Sequence, residues 1–342
     1  MMRVVAAEPV HSASLLRLLE ENAMRGDIDL VMTRRPGFFN AQRSVGTEYP
    51  VIALEGERAV GMCVLTKHMG FANGELQRLG YLGSLRISSG YRHRVRILKA
   101  GFDALHQFSP PERCYTSIAA DNIVARRLLE RGIDGLPRYQ RLGEMLTLVI
   151  SRRRGKRRGL WRVLSPQDYP QVVDFYSRHA QSRQLAPSLC AKWLSHSGLP
   201  VLGYHDDQGL HACAVLWDQH TFKQVLATGY SRRMRVLRPL WNSYAALSGR
   251  VQLPQPGLPL EQSILAWFAC DDAACIAELI EDALSFCPTK VMTLGLPAEH
   301  PSIAVLIARN RPIVYRTCLY GVNLSATPSW DPRTVWPEVA LL

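Results

Sequence analysis

Residues 81–132 impose an order of elements, strand to helix to strand to helix, with cations gathered at the first handover. The segment Tyr81-Leu82-Gly83-Ser84-Leu85-Arg86-Ile87 is a short apolar strand that stops at Ser88-Ser89-Gly90. That cluster breaks a strand and offers a hydroxyl to cap the next helix. Val95, Leu98, Phe102 and Leu105 then fall at i, i+3, i+7 and i+10, the apolar face of a helix placed at about 91 to 107. Arg92, Arg94, Arg96 and Lys99 crowd its start. Cations there oppose the helix dipole at a few tenths of a kcal/mol each unless an anion sits nearby, so the arrangement calls for a bound phosphate group. A strand at 113–119 comes next, and Asn122 stands where it would cap the second helix.

At 342 residues the chain is too long for one typical domain and comfortable for two, and with 47% hydrophobic and 20% charged residues both should be globular. Arg3, Glu8 and His11 interrupt the opening residues before the apolar core of an export signal can form. No run approaches the roughly 20 apolar residues needed to cross a bilayer. A soluble cytoplasmic protein without a membrane partner is therefore the expectation. The eight cysteines (Cys63, Cys114, Cys190, Cys213, Cys270, Cys275, Cys287, Cys318) form no Cys-x-x-Cys pair and lie mostly in apolar segments, which is the pattern of buried, reduced thiols. His205, His211 and His220 are spaced too loosely for a metal, and none is expected. The net charge of +12 makes acidic ligands or surfaces natural partners. Much of it is local: Arg152-Arg153-Arg154-Gly155-Lys156-Arg157-Arg158 holds six cations in seven positions. This run reads as a solvated connector. A nucleic-acid patch is the sharper alternative, against which stands the lack of aromatic residues for stacking on bases.

A weak internal repeat divides the chain at that connector. Tyr49-Pro50-Val51-Ile52-Ala53 is echoed by Leu199-Pro200-Val201-Leu202-Gly203, and Cys63-Val64-Leu65 by Cys213-Ala214-Val215-Leu216, each about 150 positions on. Ala104 and Ala283, then Ala125 and Ala304, stand 179 apart, which puts about 29 extra residues in copy two, within 229–260. Common order argues for duplication. Copy one reads as a strand at 3–7, helices at 11–24 and 37–44, strands at 50–55, 59–68 and 76–87, the helix at about 91–107, a strand at 113–119, a helix at about 122–131 and strands at 138–150. Asn73-Gly74 marks a hairpin. Copy two repeats this order from Leu160, with helices near 168–180, 187–196 and 272–286 and strands near 200–204, 210–218, 262–270 and 289–295. The tail from Ala326 is assigned no element.

This element order, together with Asn122-x-x-Ala125-x-x-Leu128-x-Glu130-x-Gly132 and the arginine-rich turn, resembles the GNAT (general N-acetyltransferase) superfamily, as a tandem two-domain member with a degenerate second copy. The resemblance implies an α+β fold of two tandem GNAT-like domains, each a mixed, mainly antiparallel sheet flanked by helices: 1–150, a basic linker 151–159, 160–325 and a tail 326–342. In that family acyl-CoA enters a V-shaped gap between the fourth and fifth strands. Carried over, Leu85, Arg86 and Ile87 line the pantetheine arm, Arg92, His93, Arg94, Val95, Arg96 and Ile97 face the phosphates, and Asn122 lies near the pantetheine.

The match departs at three places. Val95 and Ile97 replace the small residues of the phosphate loop, and a positive φ at either would cost about 1 to 3 kcal/mol. Either the segment is already helical at Val95 and needs no such conformation, or cofactor binding has decayed. Leu129 stands where the family often has a tyrosine that protonates the departing thiolate. A thiol with a pKa near 8.5 leaves acceptably without it. No catalytic base can be named from sequence. In copy two, Asp271 and Asp272 replace the arginines and would repel a pyrophosphate, and Asp272 makes an ordinary helix cap. That copy is expected to pack against copy one as a pseudo-dimer and to wall the acceptor pocket. The implied activity is acyl-CoA-dependent N-acyl transfer, acetyl from acetyl-CoA to an amine of a small molecule or protein. The alternative is a catalytically decayed tandem-GNAT binding or regulatory module.

Overall fold

The computed structural model describes residues 2–23, 27–40, 45–92 and 94–342. The chain opens with β1 (Met2–Ala6), α1 (Ser12–Glu20), β2 (Ile28–Thr33), β3 (Thr47–Glu55), β4 (Arg58–Ala72), β5 (Glu75–Ile87), α2 (Val95–Leu105), β6 (Arg113–Ala119), α3 (Ile123–Glu130) and β7 (Arg138–Ser151). It continues with β8 (Arg162–Val163), α4 (Tyr169–Ala180), β9 (Arg183–Gln184), β10 (Ala186–Pro187), α5 (Ala191–Ser197), β11 (Val201–Asp206), β12 (Gly209–Asp218), β13 (Gln224–Tyr230) and α6 (Arg232–Ser248). The last elements are β14 (Gln262–Cys270), α7 (Ile276–Phe286), β15 (Val291–Pro297), α8 (Ile303–Asn310), β16 (Ile313–Asn323) and β17 (Thr334–Val335). This is the α+β architecture expected, mixed sheet and flanking helices included.

One twisted sheet runs through both halves in the order β1-β3-β4-β5-β6-β16-β7-β15-β14-β12-β11-β8. At its centre the final strands are exchanged. β7 pairs with β15 (Thr293↔Val149) and β16 pairs with β6 (Tyr320↔Thr116), while β7 and β16 pair with each other. Both faces are covered. On one, α2 packs Leu98, Phe102 and Leu105 against Cys63, Leu65 and Leu82, and α7 packs Leu279, Ile280 and Leu284 against Leu148, Ile150 and Leu265. On the other, α1 covers Ile52, Met62 and Val64, and α4 and α5 cover the stacked pair Trp217 and Trp267, onto which α5 sets Trp193. Strands buried on both sides read as continuous apolar runs instead of alternating ones, which is why the central strands are legible but their facing is not.

Several expectations change. Of the helix expected at 11–24, α1 covers Ser12–Glu20 after a 3-10 turn at Pro9–His11; residues 37–40 form a turn where a short helix was expected, and residues 24 and 41–44 lie outside the described residues. β2 and β13, a separate antiparallel pair, carry no turn signal that would have marked them. The tail does hold elements. β17 pairs in parallel with β9, and a 3-10 turn spans Val339–Leu341. Gly321 and Gly295 clear its path, since a Cβ on them would meet Trp330 Nε1 at 2.8 Å and Val339 Cβ at 2.9 Å. The basic connector is pinned: Lys156 N donates to Glu281 O (2.9 Å) and Arg158 Nη2 to Glu281 Oε2 (2.6 Å), the acids coming from α7 far along the chain. Of the cysteines, Cys190 is exposed and Cys270 and Cys275 are half-buried, while the other five are buried.

Candidate active site

β5 and β6 run parallel for three pairs, Leu79↔Arg113, Gly80↔Cys114 and Tyr81↔Tyr115, and then part. Beyond that point Thr116 Oγ1 donates to Leu82 O (2.6 Å) and Tyr81 Oη meets Ser117 Oγ (2.8 Å), two side-chain ties at the apex of a wedge. β5 also carries a bulge. Gly83 pairs with Val64 and Arg86 with Met62, so one residue is extra, and Ser84 takes φ +53°. A left-handed serine costs on the order of 1 kcal/mol or more, and bulges re-aim backbone groups beside binding sites.

The same device recurs in the carboxyl half. β14 and β15 pair in parallel up to Ile264↔Thr293, then part, and three residues later Trp267 takes φ +48° in a bulge opposite Cys213 and Val215. Tyr81 to Ser84 and Ile264 to Trp267 thus correspond. The bulge partners are 151 positions apart (62 and 213, 64 and 215). The offset of 150 read from Cys63 and Cys213 is therefore one residue out. A slip of one exchanges the two faces, and runs apolar on both faces cannot reveal it.

Around the amino-half wedge, α2 starts at Val95 with Arg94 as its cap, and neither Val95 nor Ile97 has a positive φ. Ile97 is buried against Ala53 and Val60, which explains its bulk. Arg92 and Arg96 are exposed, Arg92 donating to Asn22 Oδ1 (2.8 Å). Arg94 pairs with Glu55 (3.0 Å) and lies over Tyr91. His93 lies outside the described residues. Leu85 and Ile87 pack toward α2, where a cavity of about 20 Å³ lies between them, Leu98 and Phe102. Arg86 is desolvated enough to sit below the ordinary arginine range, and its Nε has no hydrogen-bond partner. Asn122 caps α3, accepting from Ala125 N at 3.2 Å.

A polar group that sequence reasoning missed lies beside the apex. His68 Nε2 meets Tyr115 Oη at 3.0 Å while Nδ1 lies 3.1 Å from Met69 O. Burial pushes His68 down, and it pushes Tyr81 and Tyr115 up, so the imidazole stays neutral and both phenols stay protonated. With Nδ1–H donated to Met69, His68 Nε2 is the acceptor for Tyr115. From β16 comes Tyr315, raised to about 12 by burial and by Asp121, and close enough to Arg86 to feel its charge. Only the strand exchange brings Tyr315 here, and nothing in residues 81–132 signals it.

In the carboxyl half the equivalent place is filled from within. Glu338 Oε2 accepts from Trp267 N (2.7 Å), Trp336 Nε1 donates to Gly295 O (3.0 Å), and Val339 lies on Gly295. Asp271 pairs with His179 (2.9 Å) and His211 (3.3 Å), and Asp272 accepts from Ala274 N (2.8 Å) at a 3-10 turn that leads into α7. Glu338 is raised to about 7 by burial, against which its amide donors and Arg183 act. A folded-state value above the ordinary 4.5 means its stabilising share is full below about pH 4.5 and drains as pH rises through 7. Glu338→Gln should therefore flatten the unfolding free energy between about pH 5 and about pH 8 by up to about 3 kcal/mol, measured by urea titration. Solvent at its partly exposed side chain makes this a ceiling.

Compared with solved structures, the chain is similar to a GCN5-related N-acetyltransferase from Anabaena variabilis, at 9% identity and TM-score 0.52, over 95% of this chain and 73% of that one. It is also similar to Saccharomyces cerevisiae N-myristoyltransferase with bound myristoyl-CoA, at 11% identity and TM-score 0.61, over 97% and 87%. No family model matches the chain, and no curated protein does. The chain has the GNAT fold, α+β with a mixed sheet flanked by helices. Among the described residues, no helix is long and apolar enough to cross a membrane, and no group of three His, Cys, Asp or Glu is placed to hold a metal.

Proposed function

We propose that the protein is an acyl-CoA-dependent N-acyltransferase that works through its amino half, with residues 1–150 and 160–325 as the two copies and 151–159 joining them. The carrying observation is the wedge beside the Ser84 bulge, whose twin at Trp267 is occupied by a carboxylate of the chain itself. Glu338 on the Trp267 amide marks where an acyl oxygen would sit. By correspondence the Ser84 amide would polarise a thioester carbonyl in the amino half. Arg86 to Ile87 would border the pantetheine and Arg92, Arg94 and Arg96 the phosphates, with Asn122 at the far wall. Tyr81, held protonated, serves as a donor, while Tyr115 gives its single O–H to His68, the neutral imidazole behind it.

The acyl group we favour is acetyl, which the fold shared with a GCN5-related N-acetyltransferase supports. Calorimetry should find one acetyl-CoA per chain, with tighter binding than a long-chain acyl-CoA, and an amine panel should show release of free CoA. Two sites per chain would overturn the blocked carboxyl half. Binding without turnover on any amine would favour the decayed module, which Leu129 in place of a tyrosine recommends.

A further inference from the structure

We propose that α6 docks the protein on an anionic membrane surface. The helix lies within the insert that lengthens the carboxyl half, and its outer side is unusually apolar. Val236, Leu240, Tyr244 and Leu247 fall at i, i+4, i+8 and i+11 and are 74%, 69%, 47% and 90% exposed. They form a stripe about 17 Å long on one side of the helix. Its inner side is held by Ala245, and by Trp241 and Asn242, which donate to Val251 O (3.1 Å) and Leu253 O (2.9 Å), so the stripe is not a loosely docked core face.

Arg232, Arg233 and Arg235 are exposed around the first turns, and residues 232–248 contain no acid. At the other end the basic connector meets the helix: Arg154 Nη2 donates to Ser248 O (2.6 Å) and Nε to Gly249 O (3.2 Å), and Arg153 donates to Ala246 O. An apolar stripe rimmed by cations at both ends is the pattern of a helix lying in the interface of an anionic bilayer. The lack of a spanning segment bears on crossing, not on lying flat. Charge disfavours the other occupants. Two copies facing each other would oppose arginines with no acid between them, and aliphatic side chains give nucleic acid nothing to stack on.

Vesicle co-sedimentation at physiological salt tests this with the full chain. Binding to phosphatidylcholine vesicles containing phosphatidylserine is expected, and little or none to phosphatidylcholine alone. Arg232→Glu/Arg233→Glu/Arg235→Glu should weaken it on the order of a hundredfold. Leu240→Glu/Leu247→Glu should abolish it while far-UV circular dichroism and the melting curve stay unchanged. Failure of the wild type to sediment with anionic vesicles overturns the proposal, as does retention of binding in the leucine variant. A shift from dimer to monomer in that variant, or duplex DNA binding lost in the arginine variant without vesicle binding in the wild type, also overturns it by assigning the face to another occupant.

Discussion

Reversing Arg92 and Arg96 together (Arg92→Glu/Arg96→Glu) is expected to weaken acetyl-CoA binding on the order of a hundredfold or more, with stability changed by less than about 0.5 kcal/mol. Both side chains are exposed at the start of α2, beside the end of β5, and neither supports the core. A charge-assisted hydrogen bond from a guanidinium to a diphosphate is worth about 1.5 to 3 kcal/mol, and each new carboxylate adds repulsion. Calorimetry on wild type and variant checks the affinity, and a urea titration checks the fold. An unchanged Kd would move the diphosphate off this helix and with it the transferase reading of the amino half. Arg94 is the wrong residue for this test. It pairs with Glu55 and stacks on Tyr91, so its loss would disturb the turn itself.

The two bulges give that expectation its directionality. Ser84 and Trp267 are strained in the same way at the same step past the last parallel pair, and strain of that kind persists only where surrounding structure holds it. At Trp267 the holding group is visible, because Glu338 takes the re-aimed amide. At Ser84 the wedge opens toward Arg86, Tyr81 and Tyr315, with Asp121 the acid that acts on Tyr315, beside a helix start rich in arginine.

Most of the fold is legible in residues that obey one rule each. The Asn73-Gly74 turn forms with both residues at positive φ, the α2 face at Leu98, Phe102 and Leu105 is buried, and Asn122 caps its helix. The illegible remainder depends on contacts between distant segments. The exchange of β7 and β16 has no local signature, since either strand satisfies β6 equally well by pattern, and it alone carries Tyr315 to the wedge. The tail from Ala326 looks like a Pro- and Trp-rich coil because its order comes from outside: from Gln184, which receives Trp336 N (2.9 Å), and from glycines in three other strands. The connector is half legible: most of its cations are exposed, as the run of six implies, but the acids that hold Lys156 and Arg158 lie on α7, more than 120 positions away from Arg158.

Asp282→Ala is expected to cost more than about 4 kcal/mol and to free that connector. The Asp282 side chain is fully buried in α7, and its carboxylate accepts three backbone amides: Arg158 N at 2.7 Å on one oxygen, Leu160 N at 2.7 Å and Trp161 N at 2.9 Å on the other. Removing it orphans all three donors, at about 1 to 3 kcal/mol each, and leaves a small void beside Trp161. Trp161 is itself buried and donates to Leu279 O (2.7 Å), so the loss propagates into the core beneath α7. Asp282→Asn should cost less, because one acceptor oxygen survives, yet it turns an amide donor toward an amide donor. Two measurements separate a local from a global effect. The urea midpoint should fall for Ala further than for Asn, and trypsin should cut within Arg152 to Arg158 sooner in both variants than in wild type. An Ala variant with an unchanged midpoint would mean that the amides find water as readily as they find the carboxylate, and that Asp282 does not anchor the junction between the halves.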